Sequence, residues 1–344
     1  MEEPMKYMSP LALRVLGSKL YKKSEEVWKS EAEKLKEYAN PEISHILRRS
    51  YEGLDEPEKN GTRSIEGIKL DTSQIDKLWL RPTVFQNMRR LRYIHFYDDL
   101  KYWNKKILAD GVDIVSLPDE LSYLCWENYP FKSLSSSFNP KKLVVLKLPH
   151  GDVEQLWSEN DLQGPVNLRE IDLSDCKKIR KIPSVSGAIH LEILCCYGCQ
   201  SLVEFPCLSH LASLKKLELQ GCHSLKKFPE IPNHFSALDL SENGIEEVPD
   251  SIEHLVALER LTLEDSLVKK VSSNISKLES LCYLNLSHCP IIEFPETARS
   301  STLGVASSIL RFKSLGYLIM SHCKSLKLLY ELPPYLRYLN AHGC

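Results

Sequence analysis

The chain has 344 residues, with 44 Lys+Arg against 46 Asp+Glu and a formal net charge of −2. That balance argues against a general nucleic-acid binder and against a polybasic membrane anchor, and 43% hydrophobic with 26% charged residues is a globular composition rather than a disordered one. No apolar run approaches the roughly 18 residues of a membrane span. The start, Met1-Glu2-Glu3-Pro4-Met5-Lys6, has neither the basic nor the apolar stretch of a secretion signal. A reducing compartment is therefore expected, in which the eleven cysteines are mostly free thiols. The outlier is leucine, with 54 residues, only seven of them in the first sixty positions.

The leucine-poor start reads as helical. Pro10-Leu11-Ala12-Leu13-Arg14-Val15-Leu16 opens a helix with proline in its first turn. Ser24-Glu25-Glu26 caps a second, whose Val27, Trp28 and Leu35 make an apolar stripe. Asn40-Pro41-Glu42 starts a third, through Ile43, Ile46, Leu47 and Tyr51 to Gly53. Three short helices bury little, which argues against an independent fold, so residues 1–58 should lean on the start of the adjoining segment or be loosely ordered. Glu56-Pro57-Glu58-Lys59-Asn60-Gly61 is the natural linker.

From there the chain repeats itself. The pattern Leu-x-x-Leu-x-Leu-x-x-Asn/Cys starts weakly at Ile65, Leu91, Leu121 and Leu143, then clearly at Leu168, Leu191, Leu214, Phe235, Leu258, Leu281, Leu315 and Leu336. The intervals are 26, 30, 22, 25, 23, 23, 21, 23, 23, 34 and 21 residues, and most fall in the range of a leucine-rich repeat. Leu-x-Leu is a short strand with apolar side chains on one side only. Such a strand can bury that side only by stacking on copies of itself. Behind each strand comes a second apolar pair, often with proline, as in Ile182-Pro183, Phe205-Pro206, Phe228-Pro229 and Val248-Pro249. Proline fixes φ and removes a donor, which suits an irregular or 3₁₀ return rather than another strand. The expected fold is an α/β leucine-rich-repeat solenoid over residues 61–344, with a parallel sheet on its concave face, preceded by the short helical segment.

Six cysteines, Cys176, Cys199, Cys222, Cys289, Cys323 and Cys344, share the turn position that ends each strand, and Asn243 and Ser266 fill it elsewhere. A small donor there can bond backbone carbonyls that the turn leaves orphaned. Cys196-x2-Cys199-x7-Cys207-x2-His210 has zinc-like spacing, yet the repeat register puts Cys196 in the core, Cys199 in the turn and Cys207 on the return. These side chains should not converge, and no metal is expected. His288 and His322 fall on adjacent turns, as solvated edge residues.

The outward strand positions form the candidate binding face. Tyr93, Tyr123, Tyr283, Tyr317 and Tyr338 occupy the position before the second leucine, and Asp172, Glu218 and Asp239 the position after it. Tyrosine supplies stiff amphipathic contact area suited to protein recognition. The loop within the 34-residue interval, Thr297-Ala298-Arg299-Ser300-Ser301-Thr302, is a second contact candidate.

Met8-Ser9-Pro10-Leu11-Ala12-Leu13-Arg14-Val15-Leu16-Gly17 resembles the Gly-Leu-Pro-Leu-Ala-Leu motif of plant nucleotide-binding leucine-rich-repeat immune receptors, with Met8-Ser9 in place of its Gly-Leu. Ile46-Leu47-Arg48-Arg49-Ser50-Tyr51-Glu52-Gly53-Leu54-Asp55 continues the match. Phe85-Gln86-Asn87-Met88, Leu124-Cys125-Trp126-Glu127-Asn128-Tyr129-Pro130 and Leu146-Lys147-Leu148-Pro149-His150 are similar to the subclass with a Toll/interleukin-1 receptor domain. The resemblance implies that residues 1–58 are the helical remnant of a nucleotide-binding domain, joined to 61–344 as the repeats of a longer receptor. It also implies a cytoplasmic or nuclear recognition module. Its partners would be proteins: a pathogen effector or a guarded host protein, and the receptor's own nucleotide-binding and Toll/interleukin modules. The sequence contains no Gly-x4-Gly-Lys-Ser/Thr loop to cradle phosphates, and the family's NAD-cleaving domain is not in it, so neither enzymatic activity nor a cofactor is expected. ADP/ATP binding inherited from the family and substrate recruitment for a ubiquitin ligase stand as the alternatives.

Overall fold

The computed structural model describes residues 65–72, 78–79, 84–98, 107–108, 116–134, 138–157, 165–292, 312–327 and 332–344. The three helices expected before residue 58 and the 297–302 loop lie outside them. The chain divides into two compact units, Met1–Ser158 and Glu159–Cys344.

In the first unit, β1 (Gly67–Asp71), β3 (Tyr93–Tyr97), β5 (Tyr123–Trp126) and β6 (Val145–Lys147) pair in parallel in that order. A separate parallel pair joins β2 (Leu78–Trp79) to β4 (Ile107–Leu108). Along β1 and β3 buried residues alternate with half-buried or exposed ones, as in β3, where Ile94 and Phe96 point inward and Tyr93, His95 and Tyr97 outward, while in β5 Leu124, Cys125 and Trp126 are all buried. Behind the sheet an aromatic core has formed. Trp126, Tyr129 and Phe131 are fully buried, and Phe85 and Phe96 also meet the Trp126 ring edge-on. The Trp126 indole N–H has no hydrogen-bond partner among the described residues.

In the second unit, β7 (Glu170–Asp172), β8 (Ile193–Cys195) and β9 (Lys216–Glu218) form one parallel run. A second run joins β10 (Ala237–Asp239), β12 (Arg260–Thr262), β14 (Tyr283–Asn285), β15 (Tyr317–Ile319) and β16 (Tyr338–Asn340). On the return side, β11 (Glu247–Val248) pairs with β13 (Lys270–Val271). The other described returns are irregular or 3₁₀, as at Asp250–His254, which comes after Pro249, and Ser273–Lys277. Each of the twelve repeat starts therefore carries a sheet strand, and the leucine-rich-repeat solenoid read from the spacing is the fold of both units.

The second unit holds one irregularity. The sheet stops at β9 and resumes at β10, where the repeat interval shortens to 21 residues and includes Pro232. Across this seam the His234 ring Nε2–H donates to the Leu214 carbonyl at 2.7 Å, and Asn243 Nδ2 donates to the Leu219 carbonyl at 3.0 Å. Together with the bond from the Gly221 N–H to the Ser241 carbonyl at 3.0 Å, these side-chain bonds hold the seam where the strand ladder is missing. Leu217, at the usual buried position, is half-buried in consequence.

The strand exits are built alike. Asp175, Gly198, Gly221, Glu242, Asp265, His288 and His322 all have φ between 56° and 77°. Each donates its N–H to a carbonyl of the next repeat, for example Asp175 to Tyr197 at 2.7 Å and His288 to Ser321 at 2.8 Å. Asn, Asp, His and Gly tolerate this left-handed conformation best, which accounts for every residue in the set except Glu242.

The turn position after it behaves as its chemistry predicts. Thiols donate to carbonyls one repeat back: Cys199 to Leu173, Cys222 to Cys196, Cys289 to Leu263 and Cys323 to Leu286, at 3.0–3.1 Å. Ser266 Oγ does the same to Leu240 at 2.8 Å. Burial pushes the Cys222 and Cys289 thiols up to about 12 and Cys323 to about 11, so they stay protonated and remain donors.

Candidate binding face

The candidate residues fall into two sets, one on each unit, all on the side of the sheet away from the core. On the first unit Tyr93 and Tyr123 sit on adjacent strands with rings stacked at 4.5 Å and 18°. His95 completes the group, its Nδ1 3.1 Å from the Tyr93 hydroxyl. Burial first, and then the nearby Lys69 and Lys147 ammonium groups, lower the His95 pKa against an opposing pull from Glu127. The Tyr93 hydroxyl and His95 Nδ1 are hydrogen-bond partners, with the donor set by the imidazole tautomer. Lys69 in turn lies over the Tyr97 ring, 4.9 Å from its centroid. His95, Tyr97 and Lys69 extend the site beyond the two tyrosines expected there.

On the second unit Tyr283, Tyr317 and Tyr338 are in direct register across β14, β15 and β16. Their ring centroids are 6.5 and 6.2 Å apart with tilts of 35° and 37°. Tyr317 and Tyr338 keep close to half of their surface exposed, at 46% and 48%. Arg260, one strand earlier in the same row, lays its guanidinium over Tyr283 at 4.5 Å. A planar cation on a ring face is favourable by roughly 0.5–1 kcal/mol at an exposed site. The row is therefore Arg260–Tyr283–Tyr317–Tyr338. Arg260 was legible as its first member, since it stands 23 residues before Tyr283 in the repeat.

The three acidic residues have local employment. Asp172 Oδ1 accepts both the N–H and the hydroxyl of Ser174, at 2.9 and 2.6 Å. Asp239 Oδ1 holds Ser241 in the same way, at 2.9 and 2.6 Å, and Asn285 holds Ser287. These are side-chain clamps on the strand-exit turn, and their signature is Asp/Asn-x-Ser. Glu218 is ion-paired with Lys216 at 2.8 Å on its own strand. Between Asp172 and Glu218 lies Cys195, on the same face but 5% exposed. Its thiol is pushed up to about 12 by burial and by its bond to Glu218, so it is no nucleophile.

At the strand exits His288 and His322 stack at 4.8 Å, His322 meets His342 at 5.4 Å, and Asp265 lies 3.8 Å from His288. Cys196 and Cys199 are buried, whereas Cys207 and His210 are exposed. Among the described residues no group of three or more His, Cys, Asp or Glu is arranged to hold a metal ion, and no helix is long and apolar enough to cross a membrane.

No protein-family model matches the chain. Disease resistance-like protein DSC1 of Arabidopsis thaliana is 38% identical over 265 residues, covering 69% of this chain and 22% of that protein. Disease resistance protein RPS4B of the same plant is 31% identical over 322 residues, covering 83% of this chain and 27% of the relative. The chain is a homologue of plant disease-resistance proteins. The resemblance to plant disease-resistance proteins is thereby borne out. This resistance-protein homologue spans about a quarter of the length of those curated relatives. Among solved structures, the leucine-rich effector YopM from Yersinia pestis is similar at a TM-score of 0.49 and 20% identity, over 92% of this chain and 82% of that one.

Proposed function

We propose that the chain is a non-catalytic protein-recognition module of an intracellular plant immune receptor, working in the cytoplasm or nucleus. It reads a pathogen effector, or a host protein that an effector alters, and it holds the receptor's nucleotide-binding region inactive until it does so. The observation that carries this reading is the ordered row Arg260–Tyr283–Tyr317–Tyr338 on the solvent side of the second unit's sheet. Aromatic side chains and arginine dominate the energetics of protein interfaces. Here the strands fix them in register, so little side-chain entropy remains to be lost on binding. The disease-resistance relatives are the support for a place in plant defence and for the receptor context.

The test is a tyrosine footprint. The full chain is screened against a panel of secreted pathogen proteins, and each complex is treated with a tyrosine-nitrating reagent. Tyr283, Tyr317 and Tyr338 should be protected, while Tyr335, 64% exposed and outside the row, should react as in the free chain. Protection of Tyr335 with unchanged reactivity along the row would overturn the assignment. Titration calorimetry with ADP should show no binding in the micromolar range, and such binding would restore the nucleotide-dependent reading.

A further inference from the structure

The turn that leaves β8 differs from its neighbours. Its third core position holds Cys196, where the flanking repeats have Leu173 and Leu219. From Cys196 the chain passes through Tyr197 and Gly198 to Cys199, whose N–H donates to the Cys196 carbonyl at 3.2 Å. A four-residue turn closed in this way brings its end Cα atoms within about 7 Å, and disulfides span Cα separations of about 4.4–6.8 Å. Gly198 has φ 67°, and a Cβ there would stand 2.4 Å from Asp175 Oδ1, so glycine is what lets this turn lie against the preceding repeat. Both thiols are completely buried, and the neighbouring Cys199 thiol and this burial push the Cys196 thiol well above its ordinary pKa.

We propose that Cys196 and Cys199 form a reversible disulfide, which makes this turn an oxidation-sensitive modification site whose oxidant is a low-molecular-weight disulfide of the glutathione type. When the repeat opens, one of the two thiols gives its proton to water and its thiolate attacks a sulfur of the oxidant. The oxidant's S–S bond breaks, a mixed disulfide forms, and the first glutathione leaves as its thiolate. The second cysteine, deprotonated in turn, attacks the protein sulfur of the mixed disulfide and expels the second glutathione. Two protein thiols become one disulfide, and one glutathione disulfide becomes two glutathiones.

The surroundings set how readily this happens. The Cys199 thiol donates to the Leu173 carbonyl at 3.1 Å, and the disulfide removes that bond between neighbouring repeats. Losing a native hydrogen bond on oxidation places the pair among the easily reduced disulfides rather than the structural ones. The neighbouring Cys199 thiol and complete burial hold Cys196 protonated, so the closed repeat is unreactive and the rate tracks local opening.

The full chain is equilibrated in graded glutathione and glutathione-disulfide mixtures, remaining thiols are alkylated, and the protein is cleaved after Tyr197. The expected product is a linked pair of fragments, lighter by the two thiol hydrogens, that separates on reduction. The variant Cys196→Leu, which restores the residue type of the flanking repeats, should fold and give no linked pair. The proposal is overturned if Cys196 and Cys199 are both recovered alkylated under conditions where the exposed Cys207 is fully glutathionylated. It is equally overturned if either cysteine is found linked to Cys222 instead.

Discussion

Ser266 and Cys289 occupy the same turn position with different obligations. The Ser266 hydroxyl donates to the Leu240 carbonyl at 2.8 Å and also receives the Asn243 N–H at 3.3 Å, whereas the Cys289 thiol adds a donor to a Leu263 carbonyl that already accepts Ser266 N–H. A native hydrogen bond is worth about 1 kcal/mol and a stranded buried group costs more. Ser266→Ala should therefore lose roughly 2–3 kcal/mol and Cys289→Ala roughly 1–2, measured as shifts in urea midpoint at constant slope; the reverse order would contradict these roles. Glu242 has the least suitable side chain of the left-handed set, at φ 56°, and it is exposed. Glu242→Gly should stabilise the chain by about 1 kcal/mol, and a lowered melting temperature would refute it. His95 gives a pH dependence. Its folded pKa is depressed below the ordinary 6.5, so its share of stability is present above 6.5 and is lost as pH falls through the folded value. Trp126, buried in the same unit, reports this by fluorescence, and His95→Gln should flatten the acid side of the profile.

At the scale of the element, the sequence period was enough to locate the twelve strands at the repeat starts, because Leu-x-Leu alternation and one-sided burial are the same fact stated twice, whereas the return-side pairs β2–β4 and β11–β13 stand where an irregular return was expected. The seam between β9 and β10 was not legible. The Leu-x-Leu pattern of both strands is intact, and a proline-containing 21-residue interval also separates β15 and β16, which are paired, so neither length nor proline marks the break. The acidic residues were located but not understood. Asp172 and Asp239 read as charge on a surface, while their oxygens clamp Ser174 and Ser241. The seam predicts uneven protection in amide exchange. The N–H groups of Leu219 and 236–239 should exchange faster than those of β7 and β8, whereas Lys215 and Lys216 donate back to Glu192 and stay protected, and His234→Ala should widen the difference. Equal protection across both junctions would mean that the ladder closes in solution.

At the scale of the molecule, each repeat is stabilised by the one before and the one after, so the cost of a core substitution depends on its place in the stack. Leu261 is fully buried between neighbouring repeats, whereas Leu339 on β16 is 36% exposed. Leu261→Ala should cost roughly 2–5 kcal/mol and Leu339→Ala less than about 1 kcal/mol. Recognition depends on the same regularity, because stacking is what turns isolated tyrosines into a row. It is tested most directly by the affinity of a protein partner for the wild type and for the triple variant Tyr283→Ala, Tyr317→Ala, Tyr338→Ala. The expected loss is on the order of 100-fold or more, with an unchanged circular-dichroism spectrum and melting temperature. Equal affinity for both proteins would contradict the role given to the row.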